Sequence, residues 1–192
     1  MTRLNDFMAC PELAPISDFC VANGTLAKYS KGQSFVDEGS LCRYIAVVRS
    51  GYFKFSVIDS KGTECTTGFS FAGDIVADYV YSFLNSQPSP TSIIAGVDSE
   101  VLRVPFGQMK ADIDKADPEY IARTAKLLLK EAYRRYIDMH RFSPYERYMK
   151  LIRRVPDLLS LVPLQELASY LSVSRRQFQR IRAQAGHLSH DK

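Results

Sequence analysis

Seven polar residues near the end of the chain are of types that could bind nucleic acid. They are Ser174, Arg175, Arg176, Gln177, Gln179, Arg180 and Arg182. Arginine pairs with guanine edges and with phosphates, and glutamine pairs with adenine edges in the major groove of DNA. We therefore predict that Arg175, Arg176 and Arg180 contact base edges, while the other four divide between bases and phosphates.

Two short helices would have to position these side chains. Apolar residues recur at helical spacing on both sides of a break at Ser172-Val173. They are Leu164, Leu167, Ala168 and Leu171 before the break, and Phe178 and Ile181 after it. Ser174 can cap the second helix, because its side-chain oxygen can accept from the free N–H groups there. The pattern predicts a helix-turn-helix, although a solvent-exposed helical hairpin has the same spacing.

The charge of the chain is unevenly divided between its two parts. Residues 1–113 hold 9 Lys and Arg against 12 Asp and Glu, a net charge of −3. Residues 114–192 hold 16 against 9, a net charge of +7. A basic surface can serve solubility alone, but here it coincides with the arginine-bearing segment. The asymmetry therefore favours a polyanionic partner such as DNA.

Composition indicates a soluble globular protein. Of 192 residues, 46% are hydrophobic and 24% are charged. The apolar runs, such as residues 45–48, are far too short to span a bilayer. Asn5-Asp6 interrupts the N-terminus before an apolar signal segment could form. We expect a cytoplasmic protein without a membrane partner.

Residues 27–105 show short β-type runs separated by turn signals, after one or two short helices in residues 4–26. In the run from Tyr52 to Ile58, even-numbered residues share one face and Phe53, Phe55 and Val57 share the other. Residues 59–62 form a hairpin loop. Many short strands at regular spacing predict an antiparallel roll or sandwich. The irregular insert at residues 75–91 is a candidate ligand-binding loop.

From Pro118 the periodicity becomes helical for about 24 residues, which corresponds to a helix of about 36 Å. One face would cover the roll, and the other would pair with a second subunit. The residues predicted at that dimer interface are Ile121, Ala125, Leu128, Ala132 and Tyr136. A single buried helix is the alternative. Ser143 to Glu146 then carries a helix-start pattern, and that helix should run to about Arg154. Residues 157–161 are predicted to be a linker.

The predicted fold is α+β, with an N-terminal antiparallel β-roll, a long dimerisation helix and an all-α helix-turn-helix region. The expected boundaries are 1–113, 114–142 and 143–192. This order resembles the cyclic-AMP receptor protein/FNR (CRP/FNR) superfamily of bacterial transcription regulators. The resemblance rests on KGQSFVDEGS at 31–40, VVRSGYFKFSVIDSKG at 47–62, FAGDIVADY at 71–79, and the block from 146 to 182. It implies a homodimer that binds a palindromic operator, with RNA polymerase as a further partner.

The cyclic-nucleotide pocket of that family departs from its pattern here. Ala77-Asp78 stands where the family has Gly-Glu, and Pro88-Ser89 stands near its Arg-Ser pair. A buried cyclic phosphate would lack its cationic partner, because residues 74–98 contain no Lys or Arg. The residues expected to line an effector pocket are Gly73, Asp74, Asp78, Ser89 and Thr91. We expect no tight binding of cyclic AMP. No cofactor is predicted, and the sequence leaves the identity of a small-molecule effector open.

The recognition helix also departs from the family. Its best-known members carry Arg-Glu near the start of this helix, and Arg176 stands at the position of the acid. Glutamate accepts from cytosine, whereas arginine pairs with guanine or phosphate. The operator should therefore differ from the family's familiar sequence.

Parts of the sequence could suit three other functions. An enzyme on a cupin-like roll would need metal-binding histidines on the strands, but His140, His187 and His190 lie beyond the roll. The protein is therefore not expected to be an enzyme or to bind a metal. An iron–sulfur sensor is disfavoured by the wide spacing of Cys10, Cys20, Cys42 and Cys65. The remaining alternative is an effector-binding module that acts on a protein partner without DNA binding.

Overall fold

The structure is a computed structural model that describes residues 4–117 and 119–187. The strands are β1 (Thr25–Tyr29), β2 (Ser34–Val36), β3 (Tyr44–Ser50), β4 (Tyr52–Ile58), β5 (Glu64–Phe71), β6 (Ile75–Val76), β7 (Ser92–Ala95) and β8 (Ser99–Pro105). The α-helices are α1 (Ala14–Asn23), α2 (Phe106–Ala116), α3 (Tyr120–Arg141), α4 (Pro144–Arg154), α5 (Leu158–Leu161), α6 (Leu164–Tyr170) and α7 (Arg175–His187). Two 3-10 turns precede α1, at Asp6–Ala9 and Pro11–Leu13, and Tyr79–Leu84 forms a π-helical segment.

The strands form two four-stranded antiparallel sheets, so the predicted roll and the α+β fold class are confirmed. The strand orders are β1-β8-β3-β6 and β2-β7-β4-β5. Side chains alternate between the two faces of each strand, and those facing inward form the core between the sheets. That core includes Ala46, Phe53, Ile93 and Val101.

The β4–β5 hairpin has the loop and the two faces predicted for it. The Asp59 carboxylate accepts from the backbone N–H groups of Lys61 and Thr63, both at 2.8 Å. Gly62 closes the turn at φ 77°, a region that glycine enters without steric cost. Phe53 packs into the roll core. Tyr52 and Lys54, which alternate with Phe53, face the C-terminal helices instead.

The long helical region differs from the sequence prediction. An additional helix, α2, begins at Phe106 and buries Met109 and Ile113 against the core next to α1. The backbone leaves the helical conformation at Asp117, and α3 then runs for 22 residues, or about 33 Å. Pro118, predicted to open the long helix, lies outside the described residues.

The helix after α3 begins as predicted. Ser143 Oγ accepts from the Glu146 N–H at 3.3 Å, and the Glu146 carboxylate accepts from the Ser143 N–H at 2.8 Å. This reciprocal capping box opens α4, which ends at Arg154. The predicted linker at 157–161 was wrong in part, since Leu158–Leu161 forms the short helix α5. Leu158 is fully buried, and its burial favours an ordered turn over an open linker.

The C-terminal helices share one apolar core with the outer face of the β4–β5 hairpin. Tyr52 and Phe69 of the hairpin cluster with Leu151, Leu167 and Phe178 of the helices. The helical region is therefore packed against the roll. No helix within residues 4–117 and 119–187 is both long and apolar enough to cross a membrane.

Candidate nucleic-acid interface

Helices α6 and α7 meet at a tight turn that forms where the sequence predicted a break. Ser172 adopts a left-handed conformation with φ 55°, and its N–H donates to Ser169 O at 2.8 Å. The Val173 N–H donates to Ala168 O at 3.0 Å. Ser174 Oγ accepts from the Gln177 N–H at 3.2 Å and so caps α7.

A buried apolar face holds α7 against the other helices. Phe178 and Ile181 are buried together with Leu167, Ala168 and Leu171 of the α6 region. The Phe178 ring also meets the Tyr148 ring of α4 edge to face, with 5.5 Å between the ring centroids. These contacts fix the rotation of α7 about its own axis and thus the direction of its polar face.

The polar face of α7 carries the predicted DNA-binding residues. Ser174, Arg175, Arg176, Gln177, Gln179 and Arg180 are exposed, and Arg182 is half-buried. Within the described part of the chain, none of the four arginines forms an ion pair. An exposed helix face with uncompensated guanidinium groups can bind phosphates and guanine edges, and a helix of this size enters the major groove.

The opposite side of the helix pair docks on the roll through polar contacts. The Tyr52 hydroxyl donates to the Glu166 carboxylate at 3.1 Å, and Lys54 Nζ lies 3.6 Å from the same carboxylate. Burial and the charge of Glu166 raise the pKa of the Tyr52 phenol, so that it remains a donor. The backbone N–H of Thr66 donates to Ser169 Oγ at 2.8 Å. Strand β5 thus supplies a direct contact to α6.

Sequence reasoning missed this docking surface. The signal available was the outward face of β4, where Tyr52 and Lys54 alternate with the core residues. Their partners are more than one hundred residues away along the chain, so no local pattern identifies them. Aromatic packing completes the surface, with the Phe69 and Tyr170 ring centroids 5.4 Å apart.

The carboxylates predicted for the effector pocket are engaged within the chain. Asp74 is buried and accepts from Asn5 Nδ2 at 2.8 Å and from the Phe71 N–H at 3.1 Å. Asp78 caps the π-helical segment by accepting from the Tyr81 N–H and from Ser82 Oγ. Both aspartates therefore stabilise the loop itself.

The other residues predicted for this pocket shape the backbone around the loop. Gly73 has φ 89°, and its N–H donates to Val48 O at 2.8 Å. Ser89 Oγ donates to Thr91 O at 2.7 Å. These contacts hold the two ends of the insert in place.

Aromatic side chains fill the space between this loop and the helices. The Tyr79 hydroxyl lies 2.5 Å from Thr124 Oγ1 of α3. The Phe83 ring lies between the rings of Tyr79 and Phe106, at centroid distances of 4.9 and 5.0 Å. Burial raises the pKa of the Tyr79 phenol, although its bond to Thr124 counteracts part of that rise. The packing links the loop directly to α2 and α3.

The cysteines are buried or half-buried, as predicted. Cys20 and Cys42 are buried, and Cys10 and Cys65 are half-buried. Burial raises the pKa of the Cys20 thiol to about 12, so it stays protonated at neutral pH. In the described ranges, no group of three or more His, Cys, Asp or Glu side chains is placed to hold a metal ion.

Known proteins resemble this chain both in the roll and in the overall fold. Residues 26–115 match the cyclic nucleotide-binding domain family. A sequence comparison with curated proteins gave no significant match.

Three solved structures illustrate the similarity of the whole chain. FixK2 from Bradyrhizobium japonicum is 18% identical, with a TM-score of 0.71 over 86% of each chain. The c-di-GMP-responsive regulator CLP from Xanthomonas campestris is 18% identical, with a TM-score of 0.63 over 91% of this chain and 93% of its own. A putative regulator of the crp/fnr family from Eubacterium rectale is 16% identical, with a TM-score of 0.64 over 88% of this chain and 80% of its own. Residues 26–115 are thus similar to the cyclic nucleotide-binding domain family, and the chain shares its fold with these three solved structures.

Proposed function

We propose that this protein is a dimeric, sequence-specific DNA-binding regulator of transcription, with α7 lying in the major groove. The observation that carries the proposal is the exposed arginine face of α7, which forms no ion pair within residues 4–117 and 119–187 and is held in position by a buried helix-turn-helix core. In this proposal residues 1–113 form the sensor domain, 114–142 the dimerisation helix and 143–192 the DNA-binding domain. RNA polymerase is the further partner of such a regulator.

An exposed apolar stripe on α3 supports the dimer. Leu129, Tyr133, Tyr136 and Met139 are 70%, 63%, 59% and 54% exposed. A contiguous apolar surface of this kind marks an interaction site. Leu129, Ala132, Tyr136 and Met139 follow the alternating four- and three-residue spacing of a coiled-coil seam. Two copies paired along this stripe would present two α7 helices to a palindromic site, roughly 34 Å apart.

The proposed interface shifts along α3 from the one expected from sequence. Ile121 packs against the core of its own chain, and Ala125 and Leu128 are half-buried. Ala132 and Tyr136 are exposed. We therefore centre the interface on the C-terminal half of α3, with Leu129 added.

We also propose that the sensor domain does not bind cyclic AMP tightly. The pocket loop carries no cation in residues 74–98, its aspartates are engaged within the chain, and Tyr79 and Phe83 occupy the space toward the helices. Calorimetric titration with cyclic AMP is expected to show no binding at micromolar concentrations. A low-micromolar dissociation constant would contradict this part of the proposal.

Selection from random double-stranded DNA, followed by mobility shift, tests DNA binding. The expected result is an enriched palindrome whose binding weakens as salt increases, because lysine and arginine contacts release counterions. Arg180→Ala should weaken binding by roughly 1–3 kcal/mol. Arg49→Ala provides the control, since Arg49 is also an exposed cation but lies on the roll. Absence of any enriched sequence and of salt-dependent binding would favour a module that acts on a protein partner.

A further inference from the structure

The segment between β6 and β7 contains a rare backbone conformation. Tyr79–Leu84 winds as a π-helix, a form that occurs mostly as single turns and often at functional sites. Asp78 caps this turn by accepting from the Tyr81 N–H at 3.2 Å and from Ser82 Oγ at 3.1 Å. The Cys42 N–H donates to the same Ser82 oxygen at 3.0 Å. The turn is therefore fixed to the roll on one side, which gives its other side chains a defined direction.

One side chain of this turn reaches the long helix. The Tyr79 hydroxyl lies 2.5 Å from Thr124 Oγ1, and Thr124 is fully buried. Thr124 Oγ1 also lies 3.1 Å from Tyr120 O and 3.0 Å from Ile121 O, two carbonyls of its own helix. A threonine hydroxyl has one proton to donate, and carbonyl oxygens can only accept it. The Tyr79 hydroxyl is therefore the donor, and Thr124 is its acceptor.

Aromatic packing keeps the Tyr79 ring in this position. The buried Phe83 ring lies against it, and Phe106 at the start of α2 lies on the far side of Phe83. Because this region is withdrawn from water, solvent cannot readily replace a hydrogen bond that is lost there. The bond to Thr124 thus joins a fixed turn of the roll to a buried point on α3.

The burial of Thr124 determines which residues of α3 face outward. Each residue of an α-helix is rotated by about 100° from the one before it. Leu129 and Tyr136 follow Thr124 by five and twelve residues, which places them about 140° and about 120° around the helix from it. These two residues belong to the exposed stripe of α3. Anchoring Thr124 on the roll therefore turns the stripe toward the side where a second copy would pair.

We infer that Tyr79 is a positioning residue for the dimer, because its hydroxyl holds α3 and the exposed stripe in the orientation that pairs. The inference rests on the proposed function, since it requires two copies that pair along this stripe. A side chain of the chain itself joins the loop to the helix, so no bound effector is needed to join them. Pairing and operator binding then depend on Tyr79 and Thr124.

Removal of single groups tests the bond. Tyr79→Phe deletes the donor and Thr124→Val deletes the acceptor, while both substitutions nearly conserve side-chain volume. Loss of one buried hydrogen bond corresponds to an equilibrium weakened by about three- to tenfold. Sedimentation equilibrium without any effector should show this rise in the dimer dissociation constant for each variant. Affinity for the selected operator should fall with it, while urea denaturation shows that each variant is folded.

Two further substitutions separate the bond from other effects. Thr124→Ser keeps the accepting oxygen and should pair more tightly than Thr124→Val. Tyr81→Phe is the matched control, because it removes a hydroxyl from the same turn at a side chain that is 44% exposed. Its dimer dissociation constant should equal that of the wild type. The double variant Tyr79→Phe/Thr124→Val should be no weaker than either single variant, since both substitutions remove the same bond.

Addition of the missing ring separates positioning from space filling. Tyr79→Ala removes a phenol group, and engineered apolar cavities take up ring molecules of matching size. Phenol at millimolar concentration should restore pairing of this variant more than benzene does, because only phenol can donate to Thr124. Equal restoration by the two molecules would assign Tyr79 a packing role alone and overturn the inference.

Two other results would overturn it. One is an unchanged dimer dissociation constant in both Tyr79→Phe and Thr124→Val, and the other is equal weakening in Tyr81→Phe. The wild type is measured first, so that the two proposals fail differently. A wild type that forms no dimer or selects no operator would contradict the proposed function. A wild type that does both, with variants that match it, would contradict only the role of Tyr79.

Discussion

Both sides of the α6–α7 helix pair are polar, but they differ in whether their polar groups have partners within the chain. On the roll side, Glu166 meets Tyr52 and Lys54, and Ser169 meets a backbone N–H of β5. On the outer side, the arginines of α7 have no ion-pair partner in the described part of the chain. Paired groups fix where the helix pair sits, whereas unpaired groups leave charge available to a partner.

Phe178→Ala should have the largest effect on stability. The Phe178 side chain packs α7 against both the α6 region and Tyr148 of α4, so both sides of the helix pair depend on it. It is fully buried and contacts Tyr148. Loss of a buried phenylalanine side chain costs about 3–5 kcal/mol. Urea denaturation monitored by circular dichroism should show this loss in the free energy of unfolding. Tyr81→Ala, at a side chain that is 44% exposed, should cost far less. Equal effects would mean that the helix core is not what holds the pair.

Much of this core could be predicted from sequence because it depends on local periodicity. The spacing of Phe178 and Ile181 marks the buried face of α7, and Ser143 with Glu146 marks the start of α4. The alternation in β4 likewise separates Phe53 from Lys54. Each of these features depends on neighbours fewer than five residues apart.

The remaining features depend on contacts that form only after assembly. The bond between Tyr52 and Glu166 joins residues 114 positions apart, and nothing near either residue specifies it. The cavity lined by residues of α3, α4 and α6 likewise forms only where these helices meet. Helix α2 was missed although Phe106, Met109 and Ile113 recur at helical spacing, because three apolar residues directly after a strand are a short signal.

Arg176→Glu tests the outer side alone. The residue is exposed, so the free energy of unfolding should stay within about 0.5 kcal/mol of the wild type. Affinity for the selected operator should fall by roughly 1–3 kcal/mol, since a carboxylate replaces a guanidinium group at the DNA surface.

A repeat of the selection with the variant sharpens this test. Glutamate accepts from cytosine N4, so preference at one position should move toward cytosine. Arg176→Ala is the control, because it removes the cation without adding an acceptor. An unchanged selected sequence in Arg176→Glu would exclude Arg176 from base reading.

Glu166→Gln tests the docked side. Lys54 and Glu166 are only 13% and 18% exposed, so the charge that Glu166 supplies is poorly replaced by solvent. Removing it should cost about 1–2 kcal/mol in the free energy of unfolding. Urea denaturation of the variant measures the loss.

The same variant distinguishes docking from DNA reading. The selected operator sequence should not change, because Glu166 contacts Tyr52 and Lys54 of the roll. A changed sequence preference without loss of stability would reverse the roles assigned to the two sides.

Substitution of Glu64 should have the smallest effect on stability. Glu64 pairs with Lys54, which also lies beside Glu166 on the roll side of the helix pair. Burial tends to raise the pKa of Glu64, but hydrogen bonds from Lys54 and Ser56 outweigh it and lower the pKa. A lowered pKa in the folded state means that the stabilisation is complete above the unfolded-state value of about 4.3 and is lost as pH falls through the folded-state value. The carboxylate is partly exposed, so its contribution should be below about 1 kcal/mol.

Unfolding free energies of the wild type and Glu64→Gln should therefore differ at neutral pH and converge under acidic conditions. Glu100→Gln is the matched control, because its carboxylate pairs with the well-exposed Lys28 on the roll. Two results together would support the assignment. The unfolding free energies of the wild type and Glu64→Gln should converge in acid, and those of the wild type and Glu100→Gln should not differ at any pH. An ion pair would then stabilise the protein only where Lys54 joins the roll to the helix pair. A difference for Glu64→Gln that persists into strong acid would contradict the assignment, since a protonated carboxyl no longer pairs with Lys54 as an ion.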